Sequence, residues 1–153
     1  METKDVIKVL NSLIETSKDG EYGFRLCAEH AQSNQMKQLF FTRADNCSQA
    51  AAELQTLVIQ YGGKAETEGS TAGSLHRGWV AVKGTLAGYS DLKMLEEAER
   101  GEDSALESYR DALRHDDLPP DVRSLVERQF QGVKQNHDQM RNLRERARES
   151  SHH

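Results

Sequence analysis

Glu99 and Glu102 lie three residues apart in a run whose other inward positions are uncharged. From Leu92 the three-and-four spacing passes through Leu92, Leu95, Glu99, Glu102, Leu106, Tyr109 and Leu113, so a helix that buries the leucines turns both carboxylates inward. An unpartnered buried carboxylate costs several kcal/mol, and two neighbouring ones also repel each other. Something positive must sit opposite them: a metal ion, a basic side chain, or water in a groove. Carboxylates joined by an imidazole suit iron or manganese, because hard oxygen donors with a borderline nitrogen match divalent first-row metals better than a thiolate set does. The same acids would equally make a buried ionic network with Arg43 and Lys134, and spacing alone does not separate the two.

Four long helices are needed to position these groups. A first stripe runs Val6, Leu10, Leu13, Ser17, Glu21, Phe24, Ala28, Ala31, which predicts a helix over about residues 2–32 and a tight connection at Ser33-Asn34-Gln35. A second runs Met36, Phe40, Ala44, Cys47, Ala51, Leu54, Val58, Tyr61 and stops at Gly62-Gly63. Ser90 or Asp91 caps the third helix, which carries the two glutamates to about residue 114. Leu118-Pro119-Pro120-Asp121-Val122 is a sharp turn with proline at the first helical positions. The fourth helix follows Val122, Val126, Gln129, Val133, His137, Met140 and Leu143.

Two connections are short and one, between the second and third helices, is nearly 30 residues long. That pattern fits a bundle with a single crossover. The long segment is enough to run the length of the bundle and start the third helix at the same end as the second, so those two helices are expected to be parallel. Within it, Ser74 can cap a short helix over 74–88, with Trp79 of the His76-Arg77-Gly78-Trp79 cluster as its apolar anchor.

Turn positions set relative heights. With the last two helices turning near residue 117, Glu99 is expected to face His137 and Glu102 to face Lys134. Glu21, Glu99, Glu102 and His137 then share one level and point inward, and Glu53, on the edge of the second stripe, is a weaker fifth candidate. Gln129 reads as a core amide bonded to a neighbouring helix, and the basic stretch from Arg141 to Arg148 as a solvated helix end.

Composition narrows the function classes. A chain of 153 residues with 29% charged and 36% hydrophobic residues fits one domain with heavily solvated elements. A net charge of −5 and a basic region interleaved with acids argue against nucleic acid as a partner. No stretch approaches the roughly 20 apolar residues of a membrane span, and Met1 to Leu10 lacks a secretory apolar run, so a cytoplasmic protein is expected. Cys27 and Cys47 lack metal-site spacing and read as packed thiols. The bundle is assigned to residues 1–148, with 149–153 as a tail that is native or a tag remnant.

Several segments, LIETSKDGEYGF, LHRGWVAVKG, EEAERGEDSALESY, LPPDV and QNHD, resemble a bacterial family of ferritin-like four-helix-bundle proteins without an assigned activity. The resemblance covers nearly the whole chain. It implies the all-α single-crossover bundle of ferritins and rubrerythrins, in which carboxylates and histidines can bind a di-iron centre. Carried over residue by residue, Glu21 matches the acid of the first helix, Glu53 that of the second, Glu99 and Glu102 the ExxE form on the third, and His137 the histidine of the fourth. Thr56 stands where the second helix would supply histidine, and Lys134 replaces the glutamate of the fourth. The resulting expectation is a metal-binding bundle holding iron or manganese, one or two ions, through Glu21, Glu53, Glu99, Glu102 and His137, with storage, redox or peroxide handling as its outcome. The alternative is a metal-free structural or stress-response bundle acting through protein contacts. Self-association as a homo-oligomer is also expected, with Phe41 and Ile59 on the outer side of the second helix.

Overall fold

The computed structural model describes residues 1–67 and 90–151. Four helices account for most of them: α1 (Thr3–His30), α2 (Asn34–Gln60), α3 (Asp91–Leu113) and α4 (Pro120–Ser151). The expected helix over 74–88, its Ser74 cap and the Trp79 anchor lie outside the described residues.

Local chemistry fixes the helix ends. Ser33 caps α2 by accepting the Met36 N–H at 3.2 Å, and Ser90 caps α3 by accepting that of Lys93 at 3.1 Å. After α2, Gly62 takes a left-handed φ of 81°. The Gly63 N–H then returns to the Val58 carbonyl at 2.9 Å, a closure that glycine permits without steric cost. Pro120 opens α4, where its missing N–H is harmless.

Asp91 decides the topology. Its carboxylate accepts the backbone N–H of Gln32 at 2.9 Å and of Ser33 at 3.3 Å, so α3 begins at the α1–α2 turn, where α2 also begins. The second and third helices are therefore parallel, as the crossover length predicts. α1 packs on α2 and on α3, and α3 packs on α4. The remaining side, between α2 and α4, is spanned by side chains such as Tyr61, whose hydroxyl donates to Asp121 Oδ1 at 2.7 Å.

The apolar core is in two parts. Near the α1–α2 turn, Phe24, Phe40, Met94, Leu95 and Met140 pack together, with the Phe24 and Phe40 ring centroids 6.3 Å apart. At the other end Val6, Leu10, Leu54, Val58, Leu118 and Val122 form a second cluster. Between them lies a belt of buried polar and small residues that includes Ser17, Asp19, Gly20, Arg43, Glu102 and Gln129.

Two registers differ from expectation. On α1 the buried line passes through Asp19 and Gly20 rather than Glu21, which stays half-buried at the edge. Gly20 is the reason: a Cβ there would lie 3.0 Å from Cys47 Sγ, so this close approach of α1 to α2 turns position 20 inward. In the second pair, His137 meets Asp103 rather than Glu99. Residues 114–119 do not turn back at the end of α3 but continue past it, burying Leu118 in the lower cluster with Val122 and Val126. Each α4 residue is thereby displaced along α3 by about a turn. Lys134 does not face Glu102: it is exposed, with Nζ 5.5 Å from the Phe130 ring centroid.

Phe40, fully buried in the upper cluster, and Ile59, 66% exposed, give a test of this packing. Phe40→Ala should destabilise by about 3–5 kcal/mol, while Ile59→Ala should change stability by no more than about 0.5 kcal/mol. Urea denaturation of both variants against the parent measures the difference.

Candidate functional site

The polar belt centres on Arg43 and Glu102. The three-and-four pattern that buries Phe40, Ala44, Ala51 and Leu54 on α2 also buries Arg43, and its counterpart on α3 buries Glu102. Arg43 Nε and Nη2 both donate to Glu102 Oε1, at 3.2 and 2.8 Å, and the two side chains are 4% and 3% exposed. The guanidinium also stacks 5.2 Å from the Phe24 ring centroid. Burial pushes the Glu102 carboxyl above its ordinary range, and Arg43 pulls against that shift. In the same wall, burial pushes the Cys47 thiol up to about 12, which keeps it protonated and unreactive at neutral pH.

The other predicted site residues have separate partners. Glu99 is buried on α3 beside Arg144 of α4. The two charges touch without hydrogen-bond geometry, leaving Glu99 Oε2 and Arg144 Nε without hydrogen-bond partners. A turn away, Arg148 pairs with Glu96 at 3.6 Å. Glu53 pairs with Arg128 at 2.6 Å and accepts from Gln129 Nε2 at 3.2 Å. Glu21 is held on its own helix by Lys18 at 3.5 Å and Arg25 at 3.3 Å, and His137 bonds Asp103. The five are thus distributed among five partner sets. Among the described residues no three of the His, Cys, Asp and Glu side chains converge as a metal ion requires. A di-iron centre needs several anionic donors aimed at one point, and here the acids are aimed at guanidinium groups.

Beside the Arg43–Glu102 bridge is a cavity of about 230 Å³ to which all four helices contribute. Gly20 and Phe24 of α1, Cys47 of α2, Ala105 of α3 and Val133 of α4 supply apolar wall. Gln129 closes the lower side: its amide donates to the Ala50 carbonyl at 3.2 Å, and its oxygen accepts the Tyr109 hydroxyl at 2.7 Å. It is a core amide bonded to neighbouring helices, as expected. No described helix is long and apolar enough to cross a membrane.

Residues 5–115 match the family described as a domain of unknown function, DUF2383. The chain belongs to this family. The DUF2383 chain also has the ferritin-like fold. It superimposes on a dodecameric thioferritin, the bacterioferritin-related protein from Bacteroides fragilis, with a TM-score of 0.78 and 12% identity over 99% of this chain and 91% of that one. No curated protein matches the DUF2383 chain in sequence.

Three participants were not legible as such. Asp19 is 2% exposed and lines the cavity, but no apolar stripe includes it. Arg128 lies off the α4 stripe. Arg144 belongs to the stretch read as a solvated helix end, yet its side chain is only 21% exposed against Glu99. The available signal was arithmetical: inward acids demand inward cations, and of the two placed at that level, Arg43 and Lys134, only Arg43 is buried.

Arg43→Met in this DUF2383 protein should cost about 3–5 kcal/mol at neutral pH, because it leaves the Glu102 charge buried and unpaired. The sign with pH follows from the raised carboxyl. A group whose folded pKa lies above its unfolded value is accommodated best when protonated, so stability is lost as pH rises through the folded value. Removing Arg43 raises that value further, and the variant should lose more stability at pH 8 than at pH 5. Thermal melts of parent and variant across that range check the direction.

Proposed function

We propose that this protein is a ferritin-like bundle that works without a di-iron centre, as a structural bundle acting through protein contacts. The observation carrying this reading is the Arg43–Glu102 bridge. It sets a permanent cation, itself 4% exposed, against a carboxylate that is 3% exposed, and Arg144 and Arg128 pair with Glu99 and Glu53. A divalent ion at Glu102 would have to displace a buried guanidinium that cannot lose its charge.

The competing reading has iron or manganese held by Glu21, Glu53, Glu99, Glu102 and His137. It draws support from the fold shared with a thioferritin. It requires the arginines to swing aside and Glu21 and His137 to leave their present partners.

Replacing Glu102 by Gln separates the two. In the metal-free reading, protein purified without added metal contains no stoichiometric iron or manganese, and Glu102→Gln lowers stability by stranding Arg43. In the metal reading, the parent takes up ferrous iron or manganese and the variant loses it. Elemental analysis, metal titration and parallel melts give the answer. Stoichiometric uptake by the parent, abolished by Glu102→Gln, overturns the proposal.

Contacts between copies have their own support. Phe41 and Ile59, 43% and 66% exposed, are 18 residues apart on α2, five full helical turns, and so share one outer line. The related fold occurs in a protein described as dodecameric. Replacing both residues by glutamate should shift the sedimentation coefficient toward that of the monomer at high micromolar concentration. A monomeric parent removes this part of the proposal.

A further inference from the structure

The ends of the bundle are filled by apolar side chains, but its middle is hollow. A space of about 230 Å³ is far more than one bridging water needs. Four of the wall charges near it are spent on one another, Arg43 on Glu102 and Arg128 on Glu53. An added anion would meet Glu53, Glu102 and the buried carboxylate of Asp19, and an added cation would meet Arg43 and Arg128. Unspent hydrogen-bonding capacity lies instead in the side-chain amides of Asn46, Gln49 and Asn136 at the rim, which make no hydrogen bond with another described residue.

Gly132 is the second observation. It lies in the interior of α4 and lines the cavity, where glycine is the poorest helix former after proline. A Cβ at this position would meet nothing within 4 Å, so close packing does not explain the glycine. The position therefore has open space beside it on the cavity-lining side of α4.

We propose that the central cavity binds a small uncharged molecule with an apolar body and a hydrogen-bonding head, admitted past Gly132. The body would lie against Phe24, Ala105 and Val133, and the head would bond the rim amides. The proposal rests on the reading that the wall charges neutralise each other rather than a metal, and the metal titration above tests that reading separately.

Benzyl alcohol, benzoate and benzylammonium share one body and differ in the charge of the head, which makes them suitable probes. In amide-detected NMR titrations of the full chain, benzyl alcohol should shift the side-chain resonances of Asn46 and Asn136. Both charged probes should bind at least tenfold more weakly. Gly132→Leu should lower benzyl alcohol affinity at least tenfold, and Gly132→Ala should lower it less. Melts of both variants at or above the parent temperature would show that the fold is intact. No cavity shifts from any probe up to millimolar concentration, tighter binding of a charged probe, or unchanged affinity in a folded Gly132→Leu variant would overturn the proposal.

Discussion

A carboxylate in the middle of a helical bundle is tolerated only with a countercharge at hydrogen-bond distance, and Glu102 meets that requirement through Arg43. The bridge joins α2 to α3, the two parallel helices, and lies between the two apolar clusters. Its demands spread outward. Phe24 must present a ring face to the guanidinium, and Gly20 must let α1 approach Cys47. The belt that results is polar enough to separate the core into two halves.

The ferritin-like fold is thus compatible with more than one kind of interior. Helix packing is set by the two apolar clusters, which occupy the ends. A likeness of 0.78 in TM-score at 12% identity shows a shared fold, and a shared fold does not fix the chemistry of a site.

Much of the architecture could be read from local signals. Ser33, Gly62, Ser90 and Pro120 mark helix ends by physical effects confined to a few residues, and each end is found within about two residues of its expected place. The parallel arrangement followed from a connection too long for a hairpin. The inward turn of Glu99 and Glu102 was equally legible, since both are buried at 8% and 3% exposure. What periodicity could not supply was register to better than one turn. At 3.6 residues per turn, Gly20 and Glu21 are nearly equivalent continuations from Ser17, and only the close approach of α2 selects the glycine. The path of residues 114–119 past α3 depends on burying Leu118, a tertiary event without a local signature. With that displacement His137 meets Asp103, and Arg144, seven residues farther along α4, pairs with Glu99.

Asp91 has a consequence for how the chain can vary. One carboxylate holds the start of α3 to Gln32 and Ser33. At the opposite end of the bundle, Asn11 donates to the Lys64 carbonyl at 3.1 Å and accepts the Glu66 N–H at 2.9 Å, holding the chain as it leaves α2. The connection between α2 and α3 is therefore fastened at both ends by contacts that involve none of the residues between. Variation is thereby constrained at Asp91 and Asn11, because losing either side chain would leave backbone groups of the neighbouring segment without these partners.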